Sequence, residues 1–213
     1  AGVDLPMLNH QLDELRHFYN RARILGHMLA IRALRRPRYP FYVNLVINTH
    51  CSLRCVYCFG RYPDRPPQAI TFARFRKLVD ELHAAGTRYI LLQGGEPLLH
   101  PELRVMLAYL QRKKIVHAIV SNGQHPTMLA ACPELAAMDN ICFSLDGNAA
   151  GNDLVRGKGA HAAVLRSITE CRRLYSLPIR ISSTVHRLVI DDAPYLADLA
   201  QREELEWGIS FLF

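Results

Sequence analysis

The spacing of apolar residues changes character after the first forty positions. From residue 8 to about 36, Leu12, Leu15, Tyr19, Ala22, Leu29 and Ala33 recur at three- and four-residue steps with arginines between them. That period predicts one amphipathic helix. Arg36-Pro37-Arg38-Tyr39-Pro40 ends it, because proline lacks an amide donor and clashes with the preceding turn. Short β-branched, apolar runs then predict strands at Phe41–Asn48, Tyr89–Gln93, His117–Ser121, Asn140–Leu145, Ile179–Val185 and Trp207–Phe213. Helical periods lie between them, at 71–85, 101–113, 125–137, 159–175 and 191–203. Thr71 is placed to cap the first of these, Pro101 to occupy the first position of the second, and Asp191-Asp192 to sit in the first turn of the last.

Regular strand–helix alternation predicts an α/β fold of parallel strands joined by right-handed crossovers. Six strands fit a partial (β/α)6 TIM-like barrel or an open doubly wound sheet. In both, ligands bind where the carboxyl ends of the strands meet the loops. The chain divides into a basic amphipathic helix over 1–40 and one core over 41–213. The last strand is apolar and has no helix after it, which predicts that the natural protein continues beyond Phe213.

Composition narrows the class. Half of the residues are apolar and 21% are charged, a globular balance that excludes a disordered chain. There is no apolar run long enough to cross a bilayer and no signal peptide, so a cytoplasmic enzyme is expected. The net charge is +7 and uneven. Residues 1–40 carry seven arginines against Asp4, Asp13 and Glu14, a net +4, and the remaining residues carry +3. The basic segment either closes one end of the barrel or lies on an anionic membrane surface. Nucleic acid is disfavoured as a partner, because no aromatic stacking platform accompanies the arginines.

Three of the six cysteines, Cys51, Cys55 and Cys58, crowd into one loop after the first strand. A disulfide framework gains little there; a ligand set in a reducing compartment explains the crowding. Thiolates at offsets of four and three residues can hold three corners of an iron–sulfur cubane, leaving one iron open. Zinc is the rival metal, but it usually takes four closed ligands, and the neighbouring His50 is poorly placed to be the fourth. After the second strand comes Gly94-Gly95-Glu96-Pro97, where glycines allow close backbone approach and a carboxylate suits a ligand ammonium. Ser121-Asn122-Gly123 follows the third strand and Ser144-Leu145-Asp146-Gly147 the fourth, with Asp146 read as a turn cap. Arg156-Gly157-Lys158-Gly159 comes next, and Ser182, Ser183 and Thr184 end the fifth strand. Cys132, Cys142 and Cys171 have no ligand spacing and read as buried thiols. His100 reads as part of a helix start; His117, His125, His161 and His186 form no constellation.

In this order and spacing the motifs resemble those of the radical S-adenosylmethionine (SAM) superfamily. Cys51-Ser-Leu-Arg-Cys55-Val-Tyr-Cys58 is similar to its cluster motif, with Tyr57 as the aromatic residue before the last cysteine. The resemblance implies a 4Fe–4S cluster held by Cys51, Cys55 and Cys58, with SAM on the open iron. It implies that Tyr57 lies beside the adenine, Gly94, Gly95 and Glu96 receive the amine, and Ser121 and Asn122 line the site. Ser144 would bond the ribose and Arg156 the carboxylate of SAM.

The implied reaction is reductive cleavage of SAM to methionine and a 5′-deoxyadenosyl radical, which attacks an unactivated C–H or C=C bond. A one-electron donor such as flavodoxin or ferredoxin is implied as a partner. The substrate expected first is a peptide or natural product. A lipid or terpenoid modified at the membrane surface is the alternative, and a non-catalytic zinc-binding module is the rival from outside the class.

Overall fold

The computed structural model describes residues 15, 18–26, 28–29 and 40–211. Six strands follow one another in the sheet: β1 (Tyr42–Asn48), β2 (Tyr89–Gly94), β3 (Val116–Ser121), β4 (Asn140–Ser144), β5 (Ile179–Val185) and β6 (Glu206–Phe211). Every neighbouring pair is parallel and the spatial order equals the chain order. A doubly wound sheet would reverse that order at a switch point, so this architecture is the barrel alternative. One cavity is lined by residues from all six strands, among them Tyr42, Leu91, Val120, Cys142, Arg180 and Gly208. A sheet whose six strands all face one cavity is curled around it, and β1 and β6 leave the barrel open.

The helices cover the outer face. They are α1 (Phe72–Ala85), α2 (Leu103–Arg112), α3 (Pro126–Ala130), α4 (Ala149–Arg156), α5 (Ala160–Leu174) and α6 (Ala193–Arg202). The alternation of side chains sends Ile90, Leu92, Ile119, Ile141, Phe143 and Ile181 outward, where they form one core with Phe75, Met106, Leu129, Val164 and Leu196 of the helices. Thr71 caps α1 as expected, its hydroxyl accepting the Arg74 amide.

Three expectations need correction. The helix expected over 125–137 is interrupted: α3 stops at Ala130, and a 3-10 segment, Pro133–Ala137, follows. Pro133 cannot continue an α-helical ladder. Pro101 lies in a turn ahead of α2, whose cap is Glu102. The third is α4, which the periodicity did not predict.

Residues 15, 18–26 and 28–29 are helical, inside the span the leading periodicity predicts; the rest of that helix falls outside the described residues. Arg21 pairs with Glu206 at the start of β6 (3.0 Å), and Arg23 donates to the carbonyl of Lys114 (3.2 Å). Arg21, Ile24 and Met28 line the cavity together with Tyr42 and Tyr89 from the first residues of β1 and β2. The segment therefore lies across the amino-terminal mouth of the barrel, with Phe18, Leu25 and Leu29 exposed on its other side.

Candidate metal and cofactor site

All the predicted site residues lie at or after the carboxyl ends of the strands, and the network among them is denser than the sequence suggests. The cysteine loop leaves β1 at Asn48 and is anchored where it starts. The Thr49 amide donates to the carbonyl of Gln68 (2.8 Å), and Ile70 donates to Ile47 (2.9 Å). The start of the loop also docks on the end of β2. Gly95 donates to the carbonyl of Asn48 (2.9 Å), Glu96 donates to that of His50 (2.6 Å), and the Asn48 side-chain amide returns a bond to the carbonyl of Glu96 (2.9 Å). The glycines of this motif were expected to admit a ligand. Here they admit the loop backbone, since a Cβ on Gly94 would strike Asn48 and one on Gly95 would strike the His50 carbonyl.

Glu96 is fully buried. Its carboxylate accepts the amides of Leu98 (3.1 Å) and Asn122 (2.7 Å). Burial outweighs these bonds and that of the Ser121 hydroxyl, raising its pKa to about 7. Asn122 joins β3 to the cysteine loop, its side-chain amide lying 3.6 Å from the Cys51 sulfur. Glu96, Ser121 and Asn122 are thus one unit across the ends of β2 and β3.

A carboxyl pKa raised from 4.5 to about 7 has a consequence for the SAM-free protein. Glu96 contributes stability in full below pH 4.5, and that contribution is lost as pH rises through about 7. The interval corresponds to roughly 3 kcal/mol. A melting series from pH 4.5 to 8 should show this decline, and the Glu96→Gln variant should be flatter across the same window. Equal slopes for the two proteins would refute the assignment.

A second unit surrounds Asp146, which is fully buried. It accepts Arg156 Nε (2.7 Å) and Nη2 (2.9 Å), the amide of Thr184 (2.8 Å) and the hydroxyl of Tyr57. The expectation of a turn cap understates this residue, since Asp146 ties the cysteine loop, α4 and β5 together. Burial works to lower the pKa of Arg156, but Asp146 and then Tyr57 outweigh it and push it up. Burial raises that of Tyr57. The Arg156 guanidinium lies 5.6 Å from the centre of the Tyr57 ring. Ser144 pairs with Ser182 in register at the end of β4, outside this network.

Sequence reasoning missed Asn148 and His186. Asn148 caps α4 by accepting the amides of Ala150 (2.9 Å) and Gly151 (3.0 Å), and α4 delivers Arg156 to Asp146. The signal was present, since Asn is a favoured cap. His186 packs edge-on against Tyr57, with ring centroids 5.2 Å apart; nothing in its sequence neighbourhood announces that contact.

The donor set fits an iron–sulfur cluster. Cys51, Cys55 and Cys58 are free thiols on one loop. Burial pushes the first two up in pKa, so their thiolates need a compensating positive centre. Asn48 Oδ1 and His186 Nε2 are buried without hydrogen-bond partners around the same rim, as in a site built for a polar ligand.

Comparison with known proteins agrees. The sequence model of the Radical SAM superfamily matches residues 45–192. The chain belongs to the radical SAM superfamily, whose members use a 4Fe–4S cluster and SAM. Fe-coproporphyrin III synthase of Methanosarcina barkeri is 26% identical over 196 residues, covering 91% of this chain and 48% of that protein. Mycofactocin maturase MftC of Mycolicibacterium smegmatis is 30% identical over 166 residues, covering 76% and 42%. Streptococcus suis SuiB bound to S-adenosylmethionine superimposes with a TM-score of 0.70 at 14% identity, over 87% of this chain and 44% of that one. SuiB bound to precursor peptide SuiA gives 0.68 at 15% identity, over 87% and 42%. The chain spans less than half the length of each of these proteins.

Proposed function

We propose that the protein cleaves SAM reductively at this site and turns the 5′-deoxyadenosyl radical on an unactivated C–H or C=C bond of a peptide or natural product. The observation that carries this reading is the joining of three free cysteines to two buried carboxylate units on one rim of the barrel. When bound, a reduced 4Fe–4S cluster supplies the electron that breaks the carbon–sulfur bond of SAM. Cys51, Cys55 and Cys58 would hold that cluster through their thiolates. Glu96 accepts the SAM ammonium, which favours its ionised form. Arg156, oriented by Asp146 through Nε and Nη2, keeps Nη1 for the SAM carboxylate, and Ser144 bonds the ribose. Tyr57, fixed through its hydroxyl, presents its ring to the adenine.

A cavity of about 670 Å³ lies inside the curled sheet toward the amino-terminal ends of the strands, away from the cysteine loop and the carboxylate units of the opposite rim. Its wall carries the Arg180–Glu206 pair (3.1 Å) beside Asn140, Ser182 and the stacked rings of Tyr42 and Tyr89. MftC and the SuiA complex of SuiB point to a peptide substrate, so the lipid alternative is not favoured; neither is the zinc module. A flavodoxin- or ferredoxin-type donor supplies the electron. No helix among the described residues is long and apolar enough to cross a membrane.

The test is anaerobic reconstitution with iron and sulfide, followed by dithionite and SAM. About four irons and four acid-labile sulfides per chain are expected, with 5′-deoxyadenosine accumulating. Bound zinc without labile sulfide, or a full cluster that yields no 5′-deoxyadenosine, would overturn the reading.

A further inference from the structure

The geometry points to His186 as a residue that positions the adenosine half of SAM through a hydrogen bond donated by Nε2. This rests on the reading above and adds a residue that no motif supplies. His186 follows directly on β5, at the rim that carries the cysteine loop. It is 9% exposed. Its Nδ1 accepts the amide of Leu188 (3.4 Å), so in the neutral ring the proton resides on Nε2. That Nε2 is buried and has no hydrogen-bond partner among the described residues. A buried donor left unsatisfied costs about 1–3 kcal/mol. A fold retains such a group most readily where a ligand supplies the acceptor.

The position selects which part of the ligand that is. Glu96 lies at the end of β2, and its carboxylate suits the charged, amine-bearing end of SAM. His186 lies three strands away in the sheet, at the end of β5. There the surroundings are aromatic, with the Tyr57 ring edge-on to the imidazole (interplanar angle 60°). The Asp146 carboxylate is already occupied by Arg156, Tyr57 and Thr184. A neutral donor beside an aromatic ring matches a flat base with acceptor nitrogens, not a zwitterion. SAM laid with its amine at Glu96 therefore reaches His186 with its adenosine.

His186→Phe tests this, since it keeps a ring against Tyr57 and deletes the donor. The SAM-free variant should melt at the wild-type temperature or above it, because an unsatisfied donor has gone, and should take up the same iron and sulfide. Its dissociation constants for SAM and for 5′-deoxyadenosine should both rise about tenfold. His186→Gln, which restores a side-chain N–H, should recover part of that loss; it also serves if the Phe variant does not fold. Unchanged SAM affinity would overturn the proposal, whatever the melting temperature. So would weakened SAM binding with unchanged 5′-deoxyadenosine binding, which would place the contact at the methionine end. These outcomes are separable from failure of the functional reading, which shows in the wild-type protein as absence of SAM cleavage.

Discussion

Replacing Asp146 by alanine is expected to cost about 3–5 kcal/mol of folding stability, the range for removing one partner of a buried ion pair. The carboxylate is fully buried, and the Arg156 side chain it holds is only 8% exposed. Four donors converge on it: two from Arg156, the amide of Thr184 and the hydroxyl of Tyr57. Truncation strands a guanidinium out of water beside an aromatic ring, with no carboxylate to offset the lost hydration. Adding Arg156→Leu to the alanine variant should recover much of the loss, because removing both charges leaves nothing unpaired. Urea unfolding of the cluster-free proteins measures both values. The same substitution should weaken SAM binding at least tenfold, since Tyr57 and Arg156 lose their common anchor. A stability loss below 1 kcal/mol would mean that this cluster does not hold the rim together.

Much of the fold could be read directly because its signals are local. The strands are short apolar runs, and parallel βα units place every strand's carboxyl end on one rim. Motifs far apart in sequence, such as Cys51–Cys58 and Ser144–Asp146, were therefore expected to share a site before any contact was known. What escaped notice depended on tertiary partners. Asp146 looked like a turn residue because its partner Thr184 is 38 positions away. The helix α4 was hidden because Asn148 continues a turn-forming stretch, Asp146-Gly147-Asn148, and only the structure shows its side chain turned back on Ala150 and Gly151. His186 carried no signal, since its meaning lies in one unsatisfied atom. Pro133 carries the break between α3 and the following 3-10 segment in the sequence itself, inside an apolar period that continues across it.

The glycines show how a correctly placed motif can have a different physical cause, and they supply the second large prediction. Gly95→Ala should abolish retention of the cluster while leaving the rest of the barrel folded. Gly95 has no left-handed backbone to protect, so the argument is one of space alone. A methyl group there runs into the backbone carbonyl of His50, a backbone atom that cannot rotate aside. The clash falls on the two bonds that seat the cysteine loop, Gly95 to Asn48 (2.9 Å) and Glu96 to His50 (2.6 Å). Cys51 follows His50 directly, so moving the carbonyl moves the first sulfur away from its bond with Asn122. Inserting even one carbon into a filled space costs about 1–3 kcal/mol where side chains can yield; here the yielding element is the ligand loop itself. Iron and labile sulfide should fall to a small fraction of wild type after reconstitution, and 5′-deoxyadenosine formation should fall with them. Far-ultraviolet circular dichroism should stay close to wild type, because the six-stranded sheet and its outer core do not touch this methyl. Gly86→Ala is the matched control: that glycine ends α1 in left-handed backbone, far from the loop, with open space where its Cβ would point. It should lose stability while keeping its cluster. If Gly95→Ala retains full iron and sulfide, the close approach of β2 to the cysteine loop is not what positions the metal ligands.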